Sequence, residues 1–133
     1  MAKATKAQAK KPREKKPRPA IVGALEIRLG AWGPVEAKRL FGGYALYRDG
    51  TLFGLVMRER VYFKTGLGNL ADYHAAGMPP FQYTRSNGRV IATHHYEVPP
   101  AVLDDPDELA LWADKALAVA RGLGLQSGIN EAE

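Results

Sequence analysis

The chain predicts an α+β fold, a two-layer sandwich in which three helices cover a mostly antiparallel sheet of about five strands. Two observations carry this. Apolar residues recur at helical spacing near both ends of the apolar part of the chain, at Ile21, Val22, Leu25 and Leu29 and again at Leu109, Trp112, Ala113, Ala116, Leu117 and Ala120. Between them, short apolar runs flank Asp49-Gly50 and Asn87-Gly88. Such pairs suit two-residue hairpin turns, because a type I′ turn needs positive φ at both central residues. Helix, strands, helix, hairpin, helix is the order of a sheet with helices on one face.

The 133 residues suit one domain. Residues 1–19 stand apart from it. They carry Lys3, Lys6, Lys10, Lys11, Arg13, Lys15, Lys16 and Arg18 against the single acid Glu14, a net +7. They hold no aromatic, Leu, Ile or Val, and Pro12, Pro17 and Pro19 interrupt any helix. Like charges repel and nothing apolar offsets the ordering entropy, so the segment is expected to be a disordered basic tail. The rest of the chain is −2, so the overall +5 belongs to the tail. Any attraction to polyanions is therefore expected at those eight basic residues.

The domain is expected over residues 20–125. Its first helix ends at Gly30, Gly33 and Pro34. Residues 35–41 read as a strand, Gly42-Gly43 as a bend, and residues 44–48 and 51–57 as a hairpin around Asp49-Gly50. Residues 61–64 follow as a strand, and residues 67–76 as a short helix stopped by Gly77. Pro79-Pro80 forces extension. In the next hairpin a two-residue Asn87-Gly88 turn would pair Ser86 with Arg89. Phe81, Tyr83, Val90, Ala92, His94 and Tyr96 would then share the core face. The last helix has Asp105 as its N-cap, Pro106 in its first turn and Glu108 completing a capping box. Trp112, the largest member of its apolar stripe, is expected to face the sheet. Residues 126–133 are expected to fray.

Composition excludes several functions. There is no cysteine, hence no disulfide, thiolate nucleophile or Cys-based zinc site, and a reducing compartment is expected. No apolar run approaches the ~18 residues of a membrane helix, and the charged N-terminus lacks the apolar core of a secretory signal. A cytoplasmic protein without membrane contact is expected.

An ordered set of short motifs resembles the N-terminal domain of the TfoX/Sxy family of bacterial competence regulators. They are Arg39-Leu40-Phe41-Gly42-Gly43-Tyr44, Leu46-Tyr47, Asp49-Gly50-Thr51-Leu52-Phe53 and Val61-Tyr62-Phe63-Lys64. Gly77-Met78-Pro79-Pro80-Phe81-Gln82-Tyr83, Tyr96-Glu97-Val98-Pro99 and Leu103-Asp104-Asp105-Pro106, with Leu109, Trp112, Ala116 and Leu117, complete them. The motifs run from Arg39 to Leu117, and the resemblance covers about residues 21–121. Leu40 stands where the family usually has Met, Ala45 where Gly is frequent, and His95 where Tyr is common. The resemblance implies a non-catalytic regulatory domain that acts through a protein partner, as a transcriptional co-activator. Competence regulators of the family carry a second, C-terminal domain, and a stand-alone N-domain is expected here.

Catalytic and ligand-binding readings fare worse than structural ones. His94 and His95 point to opposite faces of a strand and cannot share a metal, and no spacing rule joins either to His74. The acids Asp104, Asp105, Asp107 and Glu108 are all explained as a helix start. Gly42-Gly43 lacks the spacing of a phosphate loop, and a bend or close strand packing is expected. Gly66 and Gly68 beside Lys64, ahead of a helix, form a better anion candidate, though glycine there also serves a plain turn. The aromatics read as core rather than as a base-stacking surface. With no nucleophile–base set, neither enzymatic activity, cofactor nor metal is expected. Two hypotheses stand: a domain working by protein contacts, and a protein binding nucleic acid non-specifically through its tail.

Overall fold

A computed structural model of the chain describes residues 18–122. It contains α1 (Ala20–Arg28), β1 (Glu36–Leu40), β2 (Gly43–Arg48), β3 (Thr51–Met57), β4 (Arg60–Lys64), α2 (Leu70–Ala75), β5 (Pro80–Thr84), β6 (Val90–Glu97), α3 (Pro100–Leu103) and α4 (Pro106–Ala120). The fold is α+β, with one open antiparallel sheet in the order β1-β2-β3-β4-β6-β5. The sheet has six strands, against about five expected, and the described residues hold four helices, against three expected. The added helix is α3, a single turn that Pro99 opens and Asp104 closes.

The expected tail falls almost wholly outside the described residues, as do residues 126–133. Of the tail's basic residues only Arg18 is described, and its guanidinium donates to Glu26 of α1 at 2.7 Å. Pro19 opens α1.

Three successive hairpins build β1 to β4 through two-residue turns at Phe41-Gly42, Asp49-Gly50 and Arg58-Glu59. All six turn residues have positive φ, as type I′ turns require. Turns of this type match the right-handed twist of the strands they join. Between β2 and β3 the register slips, from Leu46↔Gly54 to Tyr47↔Leu52. The bulge leaves Phe53 unpaired, and its ring sinks into the core with no exposure.

One register departs from expectation. Thr84 pairs with Val90 and Tyr83 with Ile91, one residue away from the expected pairing. The loop has three residues, Ser86-Asn87-Gly88, not two. Arg85 N–H donates to Arg89 O at 2.8 Å, and Gly88 N–H to Arg85 O at 2.9 Å. Only Gly88 takes positive φ, +88°; Asn87 instead accepts the Arg89 N–H on Oδ1 at 2.9 Å. This is the geometry of a three-residue loop ending in a left-handed glycine. A one-residue slip reverses faces. The expected core face of this hairpin therefore splits: Tyr96 joins the helical core, Phe81 and Tyr83 turn to the other side, and Val90 is 61% exposed.

The main core lies between the helices and one face of the sheet. Val22, Leu25, Leu29, Tyr73, Val102, Leu109, Ala113, Ala116 and Leu117 meet Tyr44, Leu46, Phe53, Val56, Val61 and Phe63. Fully burying a Leu, Val or Phe side chain stabilises by roughly 1.5–3 kcal/mol. Ala113 and Ala116 keep that face of α4 small. Trp112, expected to face the sheet, is partly buried, packs against this core and stands edge-on to Tyr73 of α2 at 4.7 Å. Asp105 caps α4, with Oδ1 accepting from Asp107 N–H (3.1 Å) and Glu108 N–H (3.3 Å). The capping box is not closed, because the Asp105 N–H donates to Val102 O of α3.

Candidate functional site

Strand β3 reads Thr-Leu-Phe-Gly-Leu-Val-Met. Its apolar residues fall on both parities, so burying one face of the strand exposes the other. The helices cover the side of Phe53 and Val56. On the opposite side a second cluster forms from Ala45, Leu55, Met57 and Tyr62, with Leu40, Tyr47, Leu52 and Phe81 packed around it. It contains no helical residue. Tyr62 and Phe81 meet at 5.1 Å with planes inclined by 59°, and Phe81 meets Tyr83 at 6.4 Å.

Above this cluster lies an open trough of about 1350 Å³. Its lining takes in the Phe41-Gly42 turn, the Arg58 turn residue, Arg60, Lys64, Glu97 and the 79–84 segment. Arg60 Nη1 bonds Glu97 Oε2 at 2.9 Å, with the Arg60 side chain 62% exposed and that of Glu97 12%. The pair neutralises a carboxylate that burial alone would penalise. Burial also raises the Tyr62 hydroxyl pKa, and the Glu97 charge adds to the rise. His95, opposite Lys64 in the β4–β6 ladder, has its pKa lowered to about 4, by burial first and then by Lys64 and His94. Its Nε2 is buried without a hydrogen-bond partner.

Charge is sorted by layer. The strands and their turns hold eight Lys/Arg and four Asp/Glu. Four of the helical layer's seven acids gather at the start of α4, at Asp104, Asp105, Asp107 and Glu108, and Glu26, Asp72 and Asp114 lie elsewhere in it.

The motif residues expected from the sequence divide into two groups. Phe41, Gly42, Tyr62, Lys64, Pro80, Phe81 and Tyr83 come together along the trough. Arg39, Gly43, Pro99, Asp105 and Trp112 belong to the scaffold. Arg39 lies over the Tyr44 ring at 5.7 Å. A Cβ on Gly43 would sit 2.2 Å from Val56 O, so the close strand packing expected there is present. Pro99 O accepts the Val102 N–H that starts α3, and Asp105 caps α4. Lys3, Lys6, Lys10, Lys11, Arg13, Lys15 and Lys16 lie outside the described residues, and Arg18 is bound to α1.

The anion reading of Gly66 and Gly68 does not survive. Gly66 N–H donates to Asn69 Oδ1 at 2.9 Å, and Asn69 Nδ2 donates to Lys64 O at 3.0 Å. Asn69 is buried and clasps the loop. A Cβ on Gly66 would lie 2.8 Å from Val119 of α4, so glycine serves helix packing here. Of the histidines, His74 stands edge-on to Tyr96, His94 is exposed and His95 faces the trough side. Among the described residues no group of three or more His, Cys, Asp or Glu side chains is placed to hold a metal. No described helix is long and apolar enough to cross a membrane.

Sequence reasoning missed the floor of the trough, namely Leu40, Leu52, Leu55 and Met57. The signal that could have found it was the double-sided apolar pattern of β3 in a chain whose helices can cover only one face.

A family model, the TfoX N-terminal domain, matches residues 28–120, from the end of α1 to the end of α4. No curated protein matches the chain.

Proposed function

The chain belongs to the TfoX N-terminal domain family, and from that premise we propose that it is a non-catalytic regulatory domain of the cytoplasm that works by contact with a protein partner. The observation that carries the reading is the open face. A trough lined by seven motif residues opens on the side of the sheet that the helices leave uncovered, over a buried apolar cluster. Phe41 and Tyr83 are the exposed large apolar side chains along it, and apolar surface grouped at a concave face marks interaction sites. The trough offers a partner apolar contact and a basic rim. Transcript profiling of cells with and without the gene tests this reading. A defined set of promoters is expected to change, and restoring the wild-type chain is expected to reverse the change. An unaltered transcriptome alongside an altered metabolite pool would overturn it.

A second reading, non-specific nucleic-acid binding by the tail, is favoured by one observation, the +7 net charge of residues 1–19. Contacts to ~6–8 phosphates would give a log–log salt slope of roughly −5 to −7. A gel shift with duplex DNA is expected to show this slope and to vanish when residues 1–19 are removed. Retention of the shift by residues 20–133 would place the affinity elsewhere.

A further inference from the structure

Phe41 breaks a folding rule without compensation inside the domain. It is the first central residue of a two-residue turn, at φ +48°. A bulky side chain is rare there, and Asn or Gly is the favoured occupant. Its ring is 91% exposed, so no burial offsets the backbone cost. Strain held against the interest of folding is expected where a residue serves function. Arg58 repeats the pattern, exposed at φ +53°. Leu40↔Gly43 and Met57↔Arg60 close these two hairpins at the same end of the sheet, opposite Asp49-Gly50. Both residues line the trough, and Glu59, the acidic neighbour of Arg58, does not.

We propose that this end of the trough docks an acidic protein segment bearing apolar side chains, with Phe41 as anchor and Arg58 and Arg60 facing the acids. The proposal rests on the reading of the chain as a protein-contact domain. Charge complementarity selects the sign of the partner. Arg60 spends Nη1 on Glu97 yet keeps 62% of its side chain exposed, and a guanidinium has donors to spare. Arg58 adds a second cation at the same end. The chemistry of the floor selects protein over nucleic acid. Base stacking needs an accessible ring face; in this trough the rim residues Phe41 and Tyr83 present one, whereas the floor's Leu55 and Met57 have no ring and Tyr62 is 9% exposed and packed against Phe81. Met57, the one methionine of this floor, has an unbranched side chain that adapts to varied apolar neighbours. An exposed aromatic at the mouth of such a floor, with cations beside it, has the composition of an interface hot spot.

The test selects displayed random 12-residue peptides on the immobilised full chain. Binders are then measured against the wild type and the Phe41→Asn, Arg58→Asn and Leu111→Glu variants. Asn tolerates the left-handed region, so the first two substitutions leave the turns foldable. Leu111, 59% exposed on α4, is the control. Enriched peptides are expected to combine Asp/Glu with apolar residues. They are expected to lose about tenfold or more in affinity on Phe41→Asn and on Arg58→Asn. Melting temperature is expected to hold or rise in Phe41→Asn, and Leu111→Glu to bind as wild type. Peptides indifferent to the first two variants but lost on Leu111→Glu would overturn this site and leave the protein-contact reading standing. Failure to enrich any such peptide would overturn the proposal. An oligo(dT) 12-mer that binds and is lost on the same two variants would assign the face to nucleic acid and overturn both.

Discussion

Protonation of His95 should make the domain acid-labile in a defined window. Its imidazole is held to a pKa of about 4, while the unfolded chain returns it to about 6.5. Burial is the main cause, and the electrostatic influence of Lys64 and then of His94 adds to it. Between these values the unfolded state binds the proton and the native state does not, so stability falls as pH falls. Above pH ~6.5 the group contributes no slope, and below pH ~4 its penalty is fully expressed. Each tenfold change in proton affinity is worth about 1.4 kcal/mol, so the window spans about 3 kcal/mol. That is a large share of the 5–15 kcal/mol typical of a domain, taken as a rough scale. The perturbation is His95→Gln, which keeps a polar side chain of similar length and removes the titration. Urea unfolding of both proteins at pH 7, 5.5 and 4.2 should show the wild type losing about 3 kcal/mol more than the variant. Carboxylate titration is common to both and cancels in the difference. Parallel curves, together with an NMR titration of His95 near 6.5, would refute the account of the buried imidazole.

Gly43→Ala should cost at least the ~1–3 kcal/mol of an overpacked core, because its Cβ would meet Val56 O at 2.2 Å and Met57 Sδ at 2.4 Å. Gly42→Ala has open space around it and only a left-handed φ of +82° to bear, about 1–2 kcal/mol; urea midpoints that rank the two in the opposite order would contradict the packing argument. Asp105→Ala should lower stability by about 1 kcal/mol through loss of the cap on two N–H groups, and a calorimetric melt unchanged within error would count against that role. Tyr73→Phe removes a buried hydroxyl that has no partner, so thermal unfolding should show no loss and a gain of up to ~1 kcal/mol; a loss beyond that would mean the hydroxyl is satisfied.

The elements themselves were legible because their signals are local. Asp49-Gly50 and the Asp105-Pro106 helix start act within a few residues, through φ preference and capping, and both stand where they were expected. The apolar stripe of α4 was equally readable, since helical period sorts its faces. The stripe turned Trp112 inward, as it is, but could not name Tyr73 as the ring it meets, because a stripe does not say which neighbour each residue finds. The hairpin around Asn87 was misread because Asn can enter the left-handed region or, as here, accept a backbone N–H with its side chain, and the two choices differ by one residue of register. That slip decided which face Phe81 and Tyr83 occupy. The sequence alone thus determined the fold class, most of the strands and helices though not α3, the family and the charge of the tail. Only the tertiary structure decided that Leu55, Met57, Tyr62 and Phe81 converge beneath Arg58, Arg60 and the exposed Phe41. Strands distant in sequence reach one face only through register and sheet order, which are properties of paired backbones and not of any single segment.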